Sequence, residues 1–268
     1  MHLTIAHTTT FTYDTPILEA YTEMRLRPMT ASGQQVTAFK LTTEPAGGVR
    51  RYADRFGNEV HYFDVLMPHQ RHVVTAASQV ETADAPAAPA PAALSLLEAY
   101  DYVAASRFVP FTDAIRAFAA PHNTPADPAD RARALLAAVH GALTYERGAT
   151  DVRTSADAAL GLGRGVCQDF AHLMLAACRC LGLPARYVSG YLYTRPTEAA
   201  APASHAWVDV YLAGQGWWAL DPTHNAPQSG HYVRVAVGRD YGDVPPTRGV
   251  FKGNAKETLA VEVSVQSS

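Results

Sequence analysis

Short alternating runs of apolar and polar residues occupy the first eighty positions of the chain, and helical spacing takes over after that. Residues 2–13, 36–43, 59–66 and 71–81 alternate with the period of a strand. Asp54–Glu59, DRFGNE, reads as a turn between two of them. Beyond residue 94 the pattern predicts helices over 95–105, 112–120 and 127–143. Asp127 before Pro128 is an N-cap followed by proline at the first helical position. A stronger helical pattern runs from Val166 to Leu181, with Val166, Phe170, Leu173, Met174, Ala177 and Leu181 on its apolar side. Gly182 suits its C-cap, and Pro184 ends it. Residues 205–212 then alternate again, Ala213–Gly216 supply turn residues, and 217–221 read as the return strand of a hairpin. Residues 231–238 and 258–265 read as strands that complete the sheet of this hairpin.

These elements divide the chain into a β-rich region at 1–82, an alanine- and proline-rich semi-rigid linker at 83–94, and a core of helices and strands at 95–268. The class is α+β. At 48% apolar the chain can bury a substantial core, and a net charge of −3 excludes the electrostatic footprint of a nucleic-acid or anionic-membrane binder. No basic segment followed by an apolar run opens the chain, and no apolar stretch nears the roughly 20 residues that span a bilayer. The expectation is a cytoplasmic protein. Three cysteines, two of them close together on the helix headed by the third, form no disulfide framework. Cys178 and Cys180 read as small buried hydrophobes.

Cys167 is different. It lies in GRGVCQDFAH, just after a glycine turn and at the start of the long helix. A free thiol, with pKa near ~8.5, is only a few per cent thiolate at neutral pH. A helix N-terminus and a nearby imidazolium both stabilise the thiolate. Gly163 and Gly165 allow a sharp turn into the helix, and Asp169 in the first turn reads as a cap. Downstream, His205 begins one hairpin strand and Asp221 ends the other. Whether they meet depends on register. With Leu212 opposite Trp217, Asp221 faces away from His205. With Leu212 opposite Gly216, Asp221 stands level with Trp207 and diagonal to His205. A Cys167–His205–Asp221 triad therefore requires the second register, an odd-numbered loop or a bulge.

The segments GRGVCQDFAHLMLAACRCLGLPARYVSGYL, SHAWVDVYL and WWALDPTHN together resemble the bacterial transglutaminase-like superfamily. The opening HTTTFTYDTPILEAYTEMRLRP is similar to the β-rich N-terminal domain of one of its subgroups, and VAVGRDYGDVPPTRGVFKG to its C-terminal segment. The resemblance implies a papain-like core in which the nucleophile helix packs on an antiparallel sheet. It implies Cys167 as nucleophile, His205 as general base and acid, and Asp221 as the group that orients His205. An oxyanion hole needs preorganised donors. The Cys167 backbone N–H is one, and by resemblance an aromatic at Tyr145 is a second, the alternative for Tyr145 being a core aromatic. Gln168, beside the nucleophile, is a further oxyanion candidate, or else faces solvent. Asp240 and Tyr241 are candidates to approach the site from the C-terminal segment.

The remaining histidines, among them His61, His69, His72, His172 and His224, lack metal-ligand spacing and read as surface or core residues. Trp207, Trp217 and Trp218 line a groove or fill the core. No metal and no cofactor are implied. The expected function is thioester chemistry on a peptide or protein amide, as a cysteine protease or amidase. Transglutaminase-type transfer to an amine is the alternative, and a non-catalytic binding module is a second one. The sequence leaves substrate and oligomeric state open.

Overall fold

The computed structural model describes residues 1–31, 33–83, 93–195 and 204–267. Most of the alanine- and proline-rich segment lies outside the described residues. The N-terminal strands are β1 (His2–Ile17), β2 (Glu19–Met24), β3 (Gln34–Glu44), β4 (Arg50–Ala53), β5 (Glu59–Val65) and β6 (His69–Thr82). Helices α1 (Leu96–Val103), α2 (Asp113–Ala119) and α3 (Pro128–Ala142) follow. A short strand β7 (Thr144–Tyr145), helix α4 (Ala156–Leu162) and strand β8 (Arg164–Gly165) lead into α5 (Cys167–Cys180). Strands β9 (Ala185–Leu192), β10 (Ser204–Leu212), β11 (Gly216–Asp221), β12 (Ala226–Pro227) and β13 (Tyr232–Gly238) come next, and β14 (Thr247–Lys252) and β15 (Glu257–Ser267) close the chain.

The strands form one antiparallel sheet in the order β12-β11-β10-β9-β13 and two four-stranded antiparallel sheets, β15-β1-β6-β3 and β14-β2-β5-β4. The strand expected at 231–238 joins the hairpin sheet through β9, as anticipated. The strand expected at 258–265 does not. It forms as β15, but pairs along its whole length with β1. Likewise β14 pairs with β2. Alternation marks a strand and is silent about its partner, so the segment from Thr247 to Ser267, read with the core, returns to the N-terminal sheets.

Strand β1 shows how the N-terminal sheets hold the core. Its threonine-rich sequence favours extended backbone, and Leu3, Ile5, His7, Thr9, Phe11 and Tyr13 alternate inward. Leu3 and Ile5 pack into the main core with Val233 and Tyr191 of the hairpin sheet. Phe11 and Tyr13 pack with Met24, Phe63 and Val74 in a second core between the two N-terminal sheets. One strand thus spans both cores. Polar ties reinforce the junction: Asn58 Nδ2 donates to Val237 O (2.8 Å) and its Oδ1 accepts from Val237 N–H (2.8 Å), while His7 Nδ1 meets the Tyr191 hydroxyl (3.0 Å).

Helix α5 runs through the middle of the main core, against β9 and β10 on one side and α2, α3 and α4 on the others. Its sequence pattern reads as amphipathic, but every residue from Gln168 to Arg179 is buried. Two of its buried polar side chains are tied to neighbouring elements. His172 Nε2 accepts the Tyr241 N–H (3.2 Å), and Arg179 donates to the carbonyls of Ala185 (2.8 Å) and Ala104 (3.2 Å). Among the described residues no helix is long and apolar enough to cross a membrane.

Three of the buried histidines make the fold acid-sensitive. Burial lowers His7, His72 and His172 to about 4 from the ordinary 6.5. Both ring nitrogens of His72 are buried without a hydrogen-bond partner, against Phe11. A depressed histidine favours the folded state above its unfolded pKa, and that contribution is lost as pH falls towards the folded value. The unfolding free energy from urea titrations should therefore drop steadily between pH 6.5 and 4, by at most on the order of 3 kcal/mol per histidine. His72→Phe should flatten the decline, and an unchanged slope in that variant would refute this origin.

Candidate functional site

Local sequence explains the presentation of Cys167. Gly163 closes α4 in the left-handed region (φ +65°), which glycine enters at no steric cost. Gly165 is needed for a different reason: a Cβ there would stand 2.5 Å from Asp169 Oδ2. That carboxylate accepts the Val166 N–H (2.7 Å) and the Thr150 hydroxyl (2.6 Å), so Asp169 is the cap expected of it. The result is a half-buried thiol on the first residue of α5.

The hairpin adopts the register that a triad requires. Leu212 pairs with Gly216 and Val208 with Leu220, around a turn at 213–215. Gly214 (φ +77°) and Gly216 (φ +87°) absorb its positive-φ positions. His205 and Asp221 consequently meet at the open end of the hairpin, with His205 Nε2 2.7 Å from Asp221 Oδ2. The Cys167 side chain hydrogen-bonds to the same imidazole. Since Asp221 occupies Nε2, Nδ1 is the nitrogen left for the thiol. Burial by itself would lower His205, but the bonds to Asp221 and Cys167 outweigh it and push the imidazole up to about 10.

Asp221 is fully buried and heavily solvated by protein. Its Oδ2 accepts from His205, from His224 Nδ1 (2.7 Å) and from the Tyr232 hydroxyl (2.8 Å). Its Oδ1 accepts the backbone N–H groups of Thr223 (2.9 Å) and His224 (3.4 Å). Burial opposes its charge, yet these bonds hold the carboxyl well below the usual carboxylate range. His224 and Tyr232 are the residues that sequence reasoning missed. Metal-ligand spacing alone gives His224 no role. The useful signal was its place three residues after Asp221 in a tight turn, DPTHN, that Asn225 completes at φ +51°. Tyr232 arrives from β13 and carries no local signal.

Tyr145 is 40% exposed, which removes the core-aromatic alternative. It sits on β7, paired in parallel with Gly165, two residues before the thiol. Gln168 is buried and does not face solvent. Asp240 is buried and accepts the Phe108 N–H (3.1 Å), while Tyr241 reaches α5 through His172. Trp207 is fully buried against Tyr232, whereas Trp217 and Trp218 are half-buried beneath Arg186 and Arg133. Contrary to the spacing argument about metals, the fold brings donor atoms of His205, Asp221 and His224 within 4.8 Å of one another. Hydrogen bonds to the shared Asp221 oxygen account for that proximity.

Known proteins bear on this site. Residues 116–222, which include Cys167, His205 and Asp221, match the family model of the transglutaminase-like superfamily, and residues 3–81 match that of the bacterial transglutaminase-like N-terminal region. An uncharacterized protein of Mycobacterium leprae is 34% identical, with 97% of both chains covered. The chain belongs to the transglutaminase-like superfamily. An uncharacterized protein of Mycobacterium tuberculosis is also 34% identical, covering 97% of this chain and 90% of its own. A protein-glutamine gamma-glutamyltransferase of Pseudomonas aeruginosa is 35% identical over 71 residues, 24% of this chain and 11% of that protein. Among solved structures, a Cytophaga hutchinsonii protein provisionally named a cysteine protease superposes with TM-score 0.80 at 21% identity, over 100% of this chain and 91% of its own. The α+β core with its nucleophile helix on an antiparallel sheet is the superfamily fold, and the protein is a thiol enzyme of that superfamily.

Proposed function

We propose that the protein is a cysteine hydrolase of amide or peptide bonds, with Cys167 as nucleophile, His205 as acid and base, and Asp221 as the residue that positions and charges His205. The observation that carries this reading is the His205 imidazole held between the Cys167 thiol and the buried Asp221 carboxylate. His205 is cationic at neutral pH, the form that stabilises an adjacent thiolate. The thiolate attacks the carbonyl carbon, and the oxyanion forms near the N-terminus of α5, where the Cys167 N–H is a candidate donor. The C–N bond breaks as His205 gives its proton to the leaving amine. Neutral His205 then takes a proton from water, the resulting hydroxide attacks the thioester, and the acid departs. Thiolate and imidazolium are regenerated.

Hydrolysis is favoured because water is always available, whereas transfer needs a dedicated amine site. Similarity to the Pseudomonas aeruginosa gamma-glutamyltransferase supports acyl transfer as the second reading. Two measurements test the proposal. Iodoacetamide at pH 6–7 should label Cys167 much faster than Cys178, which burial pushes up to about 12, or Cys180, which burial also raises. Equal labelling of all three would count against an activated nucleophile. Mass spectrometry of peptide-amide products, with and without added amine, separates the free acid from the transfer product.

A further inference from the structure

A cleft lies towards the N-terminal half of α5, the helix that Cys167 begins. Its volume is about 800 Å³, within the range of ligand sites, and it is lined by Arg107, Phe108, Arg153, Arg239, Tyr241 and Arg248 among others. Two of its walls lead directly to the N-terminal half of α5. Arg153 follows Thr150, whose hydroxyl bonds Asp169 in the first helical turn. Tyr241 donates its N–H to His172 and packs edge-on against Tyr187 (6.4 Å), which lies within electrostatic reach of Cys167.

The cleft carries an excess of positive charge in a chain whose net charge is −3. Its own carboxylates are already engaged. Asp240 is buried and accepts from the Phe108 and Gly242 N–H groups. Asp243 is paired with Arg239 (2.9 Å). Nearby Asp151 turns to the Arg153 backbone N–H (2.7 Å) and the Thr154 hydroxyl. Arg107, Arg153 and Arg248 are exposed, and among the described residues none of them forms a salt bridge with a carboxylate. Phe108 and Tyr241 provide an aromatic wall between them. Guanidinium groups around an aromatic wall suit planar, bidentate recognition of carboxylates on an extended chain.

We propose that this cleft is a substrate subsite for acidic peptide segments, which places the preferred substrates among peptides with Asp or Glu near the cleaved amide. The inference rests on the thiol-hydrolase reading, and the two are tested separately.

Binding is measured with the full-length Cys167→Ala protein, so that peptides stay intact, using pentaglutamate, pentaalanine and pentalysine carrying the same uncharged fluorophore. Pentaglutamate should bind more tightly than both others and weaken as NaCl is raised from ~50 to ~300 mM. Adding Arg153→Glu and Arg248→Glu should cost at least about tenfold in affinity. Both arginines are exposed, and Arg153→Gln alone, expected to cost severalfold, serves if the double reversal fails to fold. Pentaglutamate affinity that is absent, or unaltered in these variants, overturns the subsite. Iodoacetamide labelling of the wild-type protein without peptide reports on the thiol alone. Selective Cys167 labelling without acidic-peptide binding removes only the subsite. Acidic-peptide binding without selective labelling removes the thiol mechanism and leaves an acidic-peptide site.

Discussion

Cys167→Ala protein should form no acyl-enzyme and lose turnover by on the order of 10⁶-fold, the scale seen when a nucleophile is removed from a coupled triad. The reason is positional. Cys178 is fully buried three turns further along α5, and Cys180 is directed towards the α2 side, under the influence of Arg116. Neither adjoins His205. The substitution removes a half-buried thiol from the first residue of the helix, and alanine is well tolerated there. The melting temperature should consequently stay close to that of the wild type. Intact-mass spectrometry after quenching a reaction with a peptide thioester or activated amide reads the acyl adduct directly. An adduct on the Cys167→Ala protein, or turnover comparable to wild type, would end the thiol mechanism.

The parts of this site differ in how far the sequence discloses them. Helix α5 was legible because glycines precede it and Pro184 follows it, and because Asp169 sits where a cap belongs. Its complete burial was not, since His172 and Arg179 look like a polar face until Tyr241, Ala104 and Ala185 arrive to bond them. The hairpin was legible as a hairpin. Its register was a choice between two alternatives, decided by a turn that places Gly214 and Gly216 at positive φ. Helix α4 went unread: ADAALGL is short, and its signal is the left-handed glycine at its end. Strand β15 was found and its partner misjudged, because alternation records burial on one face and nothing about neighbours along the sheet edge. The same limit hid Tyr232, whose hydroxyl reaches Asp221 from a strand three places away in the sheet. Contacts made by one element were visible, and contacts made by two or three elements at once were not.

Asp221→Asn tests the most crowded of those shared contacts. The carboxylate accepts from three side chains on one oxygen and from two backbone N–H groups on the other. An amide has one acceptor and one donor group, and neither orientation satisfies this shell. With its oxygen towards His205, the NH₂ confronts the N–H groups of Thr223 and His224. With its NH₂ towards His205, the imidazole must accept at Nε2 and carry its proton on Nδ1, and it can then no longer receive a proton on the side facing Cys167. The second arrangement inactivates the base, and both remove the charge that holds His205 up to about 10. Turnover should fall by roughly 10³–10⁴-fold, as for other triad aspartates, with KM little changed because Asp221 is fully buried behind its bond to His205. Stability should fall by ~1–3 kcal/mol for the buried donors left unpaired. A second reading distinguishes this from simple loss of packing. The His205 imidazole, followed by NMR, should titrate closer to the ordinary 6.5, so it loses its charge near neutrality instead of retaining it well into alkaline pH. His224→Ala, which leaves the His205 and Tyr232 bonds to Asp221 in place, should move that titration far less. If Asp221→Asn turns over within about threefold of wild type while the His205 titration stays where it was, Asp221 is a structural acid and some other group charges the imidazole.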